Sequence, residues 1–366
     1  MTKWMRWAAG VAGMCAVSAA GWAAIQPPGA GSGPLAGLHD PRERHLANVR
    51  QLTFGGQNAE AYWSFDGKRL SFQMYDGAEV KADQIFTMNA DGSDRRRVSN
   101  GTGRTTCAFY LKNGKEVIFA STHGAGPEVP PEPDRSKGYV WPVYSTYAIW
   151  KANADGTNLR PLFPKRVGPG VRTGYNAEAT VSPDGRTILF TSTKDGDLEL
   201  YTMDVNGRKV RRLTNRVGYD GGAFFSPDGK RIVWRAGLPE NAAEELEYRS
   251  LLKQDLVRPS KMELWVADAD GGNARQVTRN GAANFAPFFT PDGKRIIFAS
   301  NMDDARRRKF ELYLINLDGT GLERVTYGAE FDSFAMFSPD GKRLVWASNR
   351  NGKDRETNIF VADWVN

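Results

Sequence analysis

Short apolar runs recur along most of the chain and are separated by polar turns that are rich in glycine. A typical pair of runs, at 223–225 and 232–234, flanks a Ser-Pro-Asp-Gly turn that ends at Gly229. Runs of this length bounded by turn residues are typical of β-strands, and Asp-Gly favours a tight hairpin because glycine tolerates a positive φ. The pattern therefore predicts a β-hairpin at each such turn.

The hairpin recurs as part of a longer unit. Its turn glycines are Gly67, Gly114, Gly185, Gly229, Gly293 and Gly341, of which the second lies in a divergent copy at 111–115. A third apolar run, a second Asp-Gly or Asn-Gly turn and a short strand ending in residues such as Val-Thr follow most hairpins. Four strands with short connections and no helix inside the repeat are typical of a β-propeller blade.

The two ends of the repeat region complement each other. The last unit stops after its third strand, at 359–364, whereas an isolated fourth-strand segment, 49–53, precedes the first unit. Pairing these segments would remove two exposed sheet edges. The sequence therefore predicts an all-β, six-bladed propeller of four-stranded blades over 45–366, closed by an N-terminal strand that completes the last blade.

The Ser-Pro-Asp-Gly-Lys-Arg turn, followed by Asp-Gly and an Arg-Gln-Val-Thr type of strand, resembles the propeller repeat of the TolB-like family. The resemblance covers about 45–364 and implies a propeller that binds protein partners in the periplasm as part of an envelope complex. TolB also has an α/β domain before its propeller, which we do not expect here because only a short tether precedes the first repeat. The same repeat forms the lid of prolyl oligopeptidase-like enzymes, but we expect no hydrolase domain after the last repeat.

The first 44 residues differ from the repeats in composition. Residues 1–23 combine Lys3 and Arg6 with an apolar stretch and small residues at 21 and 23, as in a cleavable secretory signal. Residues 24–44 are rich in Pro, Gly and Ala and predict a flexible tether. Because the apolar stretch is shorter than the roughly 20 residues of a membrane span, we expect a periplasmic protein without a transmembrane segment after signal cleavage.

Composition argues against several classes of site. The net charge of +7 is spread along the chain, which favours a solvated surface over nucleic-acid binding. Cys107 is the one cysteine beyond the predicted signal, and the histidines are His39, His45 and His123, too few for a cysteine or histidine metal cluster. A Gly-x-Ser-x-Gly nucleophile elbow does not occur in the sequence. We therefore predict no catalytic residue, metal or cofactor, and we expect a monomer.

The candidate binding residues enter the innermost strand of each blade, on the face opposite the Ser-Pro-Asp-Gly turns. Asn, Asp or Thr stands nine positions before each turn glycine, and the first and third blades have Glu seven positions before it. The predicted ligand-binding residues at the channel mouth are Asn58, Glu60, Asn176, Glu178, Asp220, Asn284 and Asp332. Loops on a rigid scaffold often carry binding residues. The alternative is that the Asn and Asp side chains only cap the starts of strands.

Two insertions lengthen loops on this same face. The first, 122–147, is rich in Pro and aromatic residues and suits an extended lid. The second, 237–261, contains a predicted helix over 240–257 with Tyr248, Leu252 and Leu256 on one stripe. That stripe can serve a partner or can simply pack onto the blade. The basic run 306–309 adds positive charge in the equivalent loop of the fifth blade.

These features favour a non-enzymatic module that binds a protein or peptide partner in the bacterial cell envelope. The turn aspartates are interpreted as turn formers, because no calcium loop of the Asp-x-Asp-x-Asp-Gly type is present. An alternative is a hydrolase or lyase that uses carboxylates at the channel mouth. The carboxylates considered for it are Glu60, Glu178, Asp220 and Asp332. A third hypothesis is a structural propeller whose partner binds its outer rims.

Overall fold

The computed structural model describes residues 38–136, 138–328, 330–353 and 355–366. These residues form six four-stranded antiparallel sheets, one small two-stranded sheet and one α-helix. The predicted signal peptide, 1–23, and most of the predicted tether lie outside the described residues. The architecture confirms the predicted all-β propeller with six blades.

The strands follow the chain blade by blade. The N-terminal strand is β1 (Leu46–Gln51), and the first blade comprises β2 (Gln57–Trp63), β3 (Arg69–Tyr75), β4 (Gln84–Asn89) and β5 (Arg96–Arg97). The second blade comprises β6 (Thr105–Tyr110), β7 (Glu116–Ser121), β9 (Ala148–Asn153) and β10 (Arg160–Phe163), with β8 (Trp141–Pro142) in its insertion. The third blade comprises β11 (Asn176–Val181), β12 (Thr187–Ser192), β13 (Glu199–Asp204) and β14 (Arg211–Arg212).

The remaining blades have the same order of strands. The fourth comprises β15 (Tyr219–Phe225), β16 (Arg231–Gly237), β18 (Glu263–Asp268) and β19 (Arg275–Gln276), with β17 (Leu256–Val257) in its insertion. The fifth comprises β20 (Asn284–Phe289), β21 (Arg295–Ser300), β22 (Glu311–Asn316) and β23 (Glu323–Arg324). The sixth comprises β24 (Asp332–Phe337), β25 (Arg343–Ser348), β26 (Asn358–Trp364) and the N-terminal β1.

The ring closes where the two ends of the repeat region meet. Strand β1 pairs antiparallel with β26, with Leu46 opposite Trp364 and Gln51 opposite Phe360. The innermost strands contact one another in blade order, and the innermost strand of the sixth blade contacts that of the first. Both observations confirm the predicted closing strand.

The hairpin turn is stabilised by its own side chains. In the fourth blade the Asp228 carboxylate accepts hydrogen bonds from the Ser226 hydroxyl at 2.5 Å and from the Lys230 backbone N–H at 3.0 Å. Gly229 has a φ of +69°, which a residue with a Cβ rarely adopts. The repeated aspartate is therefore engaged within the turn that it shapes.

The end of the predicted tether packs against the sixth blade. Leu38 and Glu43 are buried, and the Glu43 carboxylate accepts two hydrogen bonds of 3.0 Å from the Arg350 guanidinium. Arg350 also donates to Asp332, at the start of the innermost strand. Residues 38–44 are thus attached to the propeller, in contrast to the flexible segment that their composition predicts.

The two insertions meet on the face opposite the hairpin turns. Strand β8 of the first pairs with β17 of the second, and Val257 lies opposite Trp141. The second insertion also contains α1 (Ala242–Leu252), in which Tyr248 is buried. Its hydroxyl donates a short hydrogen bond to Asp197 of the third blade. The insertions therefore form one structure that is attached to the blade between them.

The helix is shorter than the predicted 240–257. The Asn241 side chain accepts a hydrogen bond from the Glu244 N–H and caps its start. At its other end, Asp255 has a φ of +58°, and the chain then extends to form β17. The prediction was wrong for the last turn because β17 pairs with a strand from another insertion. Within the described ranges, no helix combines the length and the apolar character needed to cross a membrane.

Candidate ligand-binding site at the channel mouth

Every innermost strand contains a β-bulge, which a shift in pairing with the second strand reveals. The residue seven positions before the turn glycine lies in the bulge and has a φ between +47° and +62°. These six residues, here called the bulge ring, are Glu60, Cys107, Glu178, Gly222, Ala286 and Phe334. A bulge turns a side chain out of the regular alternation of a strand. At this level the side chains of different blades meet around the central channel.

Residues nine positions before the turn glycines form a second ring, here called the rim ring. Its members are Asn58, Thr105, Asn176, Asp220, Asn284 and Asp332, and each is at most 1% exposed. Most of their polar atoms are bonded inside the protein, and the exceptions among the described residues are Asn58 Oδ1 and Asp220 Oδ2. Asn176, for example, donates to the carbonyl oxygens of Tyr147, Thr173 and Gly174 at 2.9 to 3.1 Å.

Whether a blade has Asp or Asn in the rim ring depends on the nearby aromatic residue of its second strand. Asp220 accepts a hydrogen bond from the Trp234 indole N–H at 2.6 Å, and Asp332 accepts one from the Trp346 indole at 3.0 Å. The three blades with Asn have phenylalanine at the equivalent position, which has no N–H to donate. Those residues are Phe72, Phe190 and Phe298. Asp thus occurs where an indole donates, and Asn occurs where backbone carbonyls need a donor.

Glu178 is the fully bonded carboxylate of the bulge ring. It accepts hydrogen bonds from the Tyr219 hydroxyl at 2.7 Å, the Thr191 hydroxyl at 2.7 Å and the Gly222 N–H at 2.9 Å. The Arg235 guanidinium forms a buried ion pair with it. A Cβ at Gly222 would lie 2.0 Å from Arg235 Nη1, so the absence of a side chain there lets the guanidinium reach across.

Glu60 is the other carboxylate of the bulge ring. Unlike Glu178, it accepts no hydrogen bond from a cationic side chain of the described residues. Its side chain is half-buried, and its Oε2 atom has no hydrogen-bond partner among the residues that the structure describes. The pKa of Glu60 is raised to about 7, mainly by burial; a hydrogen bond from Cys107 and the charge of Arg235 oppose the shift, and the charges of Glu178 and Asp83 add to it. Near neutral pH this carboxyl group can therefore carry either a proton or a negative charge.

Cys107 lies between the two glutamates in the ring and is a free thiol. Burial and the neighbouring charge of Glu60 raise the pKa of the thiol well above its usual value. The thiol therefore stays protonated, and it is not activated as a nucleophile.

An arc of aromatic side chains lies on the side of the mouth formed by the fifth and sixth blades. The rings of Trp141 and Phe285 are 4.9 Å apart, and the contacts continue through Phe310 and Phe331 to Phe334, with 5.1 to 6.2 Å between successive centroids. All five side chains are half-buried and keep accessible surface. This aromatic arc covers the fifth and sixth blades, where the bulge ring is apolar.

Trp141 brings the first insertion over the mouth. It leaves the second blade and contacts Phe285 in the fifth, on the opposite side of the ring. The Arg235 guanidinium lies 5.3 Å from the centre of its indole ring, a cation–π distance. The insertion thus roofs the part of the mouth that lies above the Arg235–Glu178 pair.

Aromatic residues close the channel below the bulge ring. Tyr62 and Phe224 belong to the first and fourth blades, which lie opposite each other, yet their ring centres are only 5.7 Å apart. Phe109 and Phe288 contact the same cluster. The aromatic cluster therefore blocks the channel towards the hairpin turns, and we call the part above it, where Glu60, Cys107 and Phe334 keep some accessible surface, the cup.

A separate cavity of about 870 Å³ lies between the two insertions. Glu132 and Tyr144 line it from the first insertion, and Asp255 and Arg258 line it from the second. No residue of the bulge ring is among its lining residues. It is a second concave surface on the same face as the cup.

The predicted site residues divide between the two rings. The structure brings Glu60 and Glu178 together in the cup, and it places the other five predicted residues in the rim ring. Ligand contact by any of them stays a prediction. Sequence reasoning missed Arg235, Tyr219 and the aromatic arc. One available signal was glycine at position 222, where the first and third blades have glutamate.

Ser121 and His123 resemble part of a catalytic dyad, since Ser121 Oγ lies 2.6 Å from His123 Nδ1. The pair belongs to the loop architecture, because Ser121 also accepts a hydrogen bond from the N–H two residues later. Equivalent serines in the third, fifth and sixth blades do the same; they are Ser192, Ser300 and Ser348. In the described part of the chain, no three His, Cys, Asp or Glu side chains are grouped to hold a metal ion.

Together, the fold and the cup define a closed six-bladed propeller with a blind central pocket. The family model of the TolB beta propeller domain matches residues 252–363. The Tol-Pal system protein TolB of Anaeromyxobacter dehalogenans is 25% identical over 225 residues, 61% of this chain and 40% of that protein. The structure of putative TolB from Agrobacterium tumefaciens has a TM-score of 0.52 at 17% identity, covering 85% of this chain and 91% of that one. The chain therefore carries a TolB-like β-propeller.

A further relative is a peptidase. The uncharacterized peptidase YuxL of Bacillus subtilis is 31% identical over 148 residues, which make up 34% of this chain and 22% of that protein. The chain thus spans less than half the length of both of these curated relatives. The similarity to both concerns part of a larger protein.

Proposed function

We propose that this propeller is a non-enzymatic module that binds a protein or peptide partner through the cup, in the periplasm of the bacterial envelope. The observation that carries the proposal is the cup itself, which is closed at its base, roofed by Trp141 and lined by Glu60. A blind pocket admits a chain terminus or a protruding side chain and does not admit a continuous strand. The TolB-like fold and the predicted leader support the envelope location.

Within this proposal, Glu60 and the aromatic arc contact the ligand, and the rim ring holds the strands that present them. Glu178 is bonded to four groups of the protein, so its role is to position Arg235 and Tyr219. A protein partner whose terminus fills the cup would also meet the concave surface between the insertions.

Site-specific photo-cross-linking tests where the partner binds. A photoreactive phenylalanine analogue replaces Phe334 in the cup, and in a second variant it replaces Leu322, which is 51% exposed on the face of the turns. Both are introduced into the full chain in the native cells. We expect the cup position to cross-link to a discrete protein at least fivefold more efficiently, as quantified by mass spectrometry. Equal yields, or products at Leu322 only, would contradict binding through the cup.

Two observations favour a second candidate, an enzyme that uses Glu60 as a general acid or base. A pKa of about 7 suits proton transfer at neutral pH, and a peptidase is among the relatives. Assays with peptide and glycoside substrates test this candidate. Turnover that Glu60→Gln abolishes, and that the exposed control Glu79→Gln retains, would establish the enzyme and refute the non-enzymatic module.

A further inference from the structure

We infer that the cup takes an organic ammonium group, which pairs with the Glu60 carboxylate while the apolar part of the ligand lies on the aromatic arc. This inference rests on the proposed function and specifies its ligand. The ammonium can come from the amino terminus of a peptide or from a lysine side chain, and the experiment below separates these sources.

The charges inside the cup leave one negative charge without a matching cation. Glu178 and Arg235 neutralise each other as a buried ion pair. Cys107 is uncharged, because its thiol is protonated. An ionised Glu60 thus gives the cup a net charge of −1, from two carboxylates and one guanidinium. A ligand cation restores neutrality, and its Coulombic attraction to a partly buried carboxylate is stronger than to one at an exposed surface.

An anionic ligand has no equivalent partner in this place. The Arg235 guanidinium is held by Glu178 and by the Tyr219 hydroxyl, which it contacts at 2.8 Å. Arg104, the next cation towards the mouth, is paired with Glu132 of the first insertion. The Arg235 Nε–H has no hydrogen-bond partner among the described residues, but a carboxylate or phosphate bound to it would add a further negative charge beside Glu178 and Glu60. The arrangement therefore discriminates against acidic ligand groups.

The aromatic arc adds the second element of recognition. Its last member, Phe334, lies at the same level as Glu60, since it occupies the equivalent position of the adjacent blade. Aromatic faces attract both apolar groups and cations. A ligand with an ammonium group beside an aromatic or aliphatic group would meet the carboxylate on one side and the arc on the other. An N-terminal phenylalanine has this arrangement of groups.

Isothermal titration calorimetry with the full chain tests the inference. The first probe is the tripeptide Phe-Gly-Gly-amide with a free amino terminus, and the second is its N-acetylated form. The third is N-acetyl-Lys-Phe-Gly-amide, whose only ammonium is on the side chain. We expect at least one of the two ammonium peptides to bind at least tenfold more tightly than the second probe, and the tighter of the two identifies the source of the ammonium.

The variants tie this preference to one residue. Glu60→Gln keeps the size of the side chain but removes its charge, and we expect it to abolish the tenfold preference. The matched control Glu79→Gln makes the same change on the exposed loop of the same blade and should retain it. Thermal denaturation of each variant checks that it is folded.

Three results would overturn the inference: equal binding of the acetylated and ammonium peptides, an undiminished preference in Glu60→Gln, or no binding of either ammonium peptide at millimolar concentration. If the cup nevertheless cross-links to a protein through position 334, the proposed function stands, and only the inference that the ligand carries an ammonium group is refuted. If that cross-link is also absent, the proposed function fails as well.

Discussion

The rim ring and the bulge ring lie two residues apart on the same six strands, but they differ in what their side chains contact. Rim ring residues are at most 1% exposed, and most of their polar atoms are bonded inside the protein. Bulge ring residues have left-handed backbone conformations and meet across the channel. Adjacent polar positions of a repeat can therefore serve the fold in one case and face a ligand in the other.

The kinds of residue in the two rings agree with this difference. The rim ring uses Asn, Asp and Thr, and its choice between Asp and Asn follows the neighbouring indole or phenyl ring. The bulge ring varies from Glu to Cys, Gly, Ala and Phe around one circle. Such variety is compatible with a pocket wall whose properties change from blade to blade. The following predictions test this contrast.

The largest effect is expected from Asp332→Ala in the rim ring. The change leaves the Trp346 indole without its acceptor and takes one of two carboxylates from the buried Arg350 guanidinium. Removing one partner of a buried ion pair typically lowers the free energy of unfolding by about 3–5 kcal/mol. Urea denaturation should show a loss of about this size, and the exposed control Glu79→Ala should change by less than about 0.5 kcal/mol. A loss below about 1 kcal/mol for Asp332→Ala would mean that the rim ring is not structural.

Gly222→Ala tests whether the missing side chain at this bulge position is needed for the ion pair between Arg235 and Glu178. The new Cβ would occupy the position of Arg235 Nη1 and separate it from Glu178. Ala286 shows that alanine itself is tolerated at an equivalent bulge position, with a φ of +47°. We therefore expect a loss of about 2 kcal/mol, which should nearly vanish when Arg235 is also replaced by alanine. The same loss in both backgrounds would exclude the clash as its cause.

The match between Asp in the rim ring and Trp on the second strand can be tested in the fourth blade, by replacing this pair with Asn and Phe. Trp234→Phe removes the indole donor to Asp220, and we expect unfolding to become easier by about 1–2 kcal/mol. Adding Asp220→Asn creates the combination found in the first, third and fifth blades. The double variant should be about 1 kcal/mol more stable than the sum of the single changes predicts. Strict additivity in denaturation experiments would refute this matching.

The smallest effect concerns Glu60 and the pH. Because its pKa of about 7 in the folded protein exceeds the unfolded value near 4.5, the folded state binds more protons between these pH values. Wild-type stability should therefore fall as the pH rises from about 4.5 to above 7. The groups that face Glu60 and influence this titration are Cys107, Glu178, Arg235 and Asp83. Glu60→Gln should remove this contribution, so that it gains stability relative to wild type as the pH rises from 5 to 8. A stability difference between Glu60→Gln and wild type that is the same at pH 5 and pH 8 would contradict the raised pKa.

The blade number, the closing strand and the face that carries the insertions could be predicted from sequence because each depends on a short local signal. The Asp-Gly turns count the blades, and the segment 49–53 supplies the missing strand. The end of α1 could not be predicted in this way. It depends on the pairing of β17 with β8, and these strands come from insertions in different blades.

The candidate site could be predicted only in part. Spacing from the turn glycine located Glu60 and Glu178, but it did not separate them from the rim ring two residues away. That separation depends on the bulge, and residues such as Glu and Phe with positive φ give no recognisable sequence signal. The position of Trp141 over the cup could not be predicted from sequence either, because Trp141 contacts Phe285 only once the ring has closed.

The most direct test compares two alanine variants from one strand. Asn58→Ala removes hydrogen bonds to the carbonyl oxygens of Gly55 and Thr357, whereas Glu60→Ala removes the carboxylate that no cation neutralises through a hydrogen bond. The measurement is the free energy of unfolding of both variants in urea at pH 8. We predict that Asn58→Ala loses about 1.5 kcal/mol or more and that Glu60→Ala stays within about 0.5 kcal/mol of wild type or exceeds it. An equal loss in both variants would contradict the division between a structural rim ring and a cup that is free to bind a ligand.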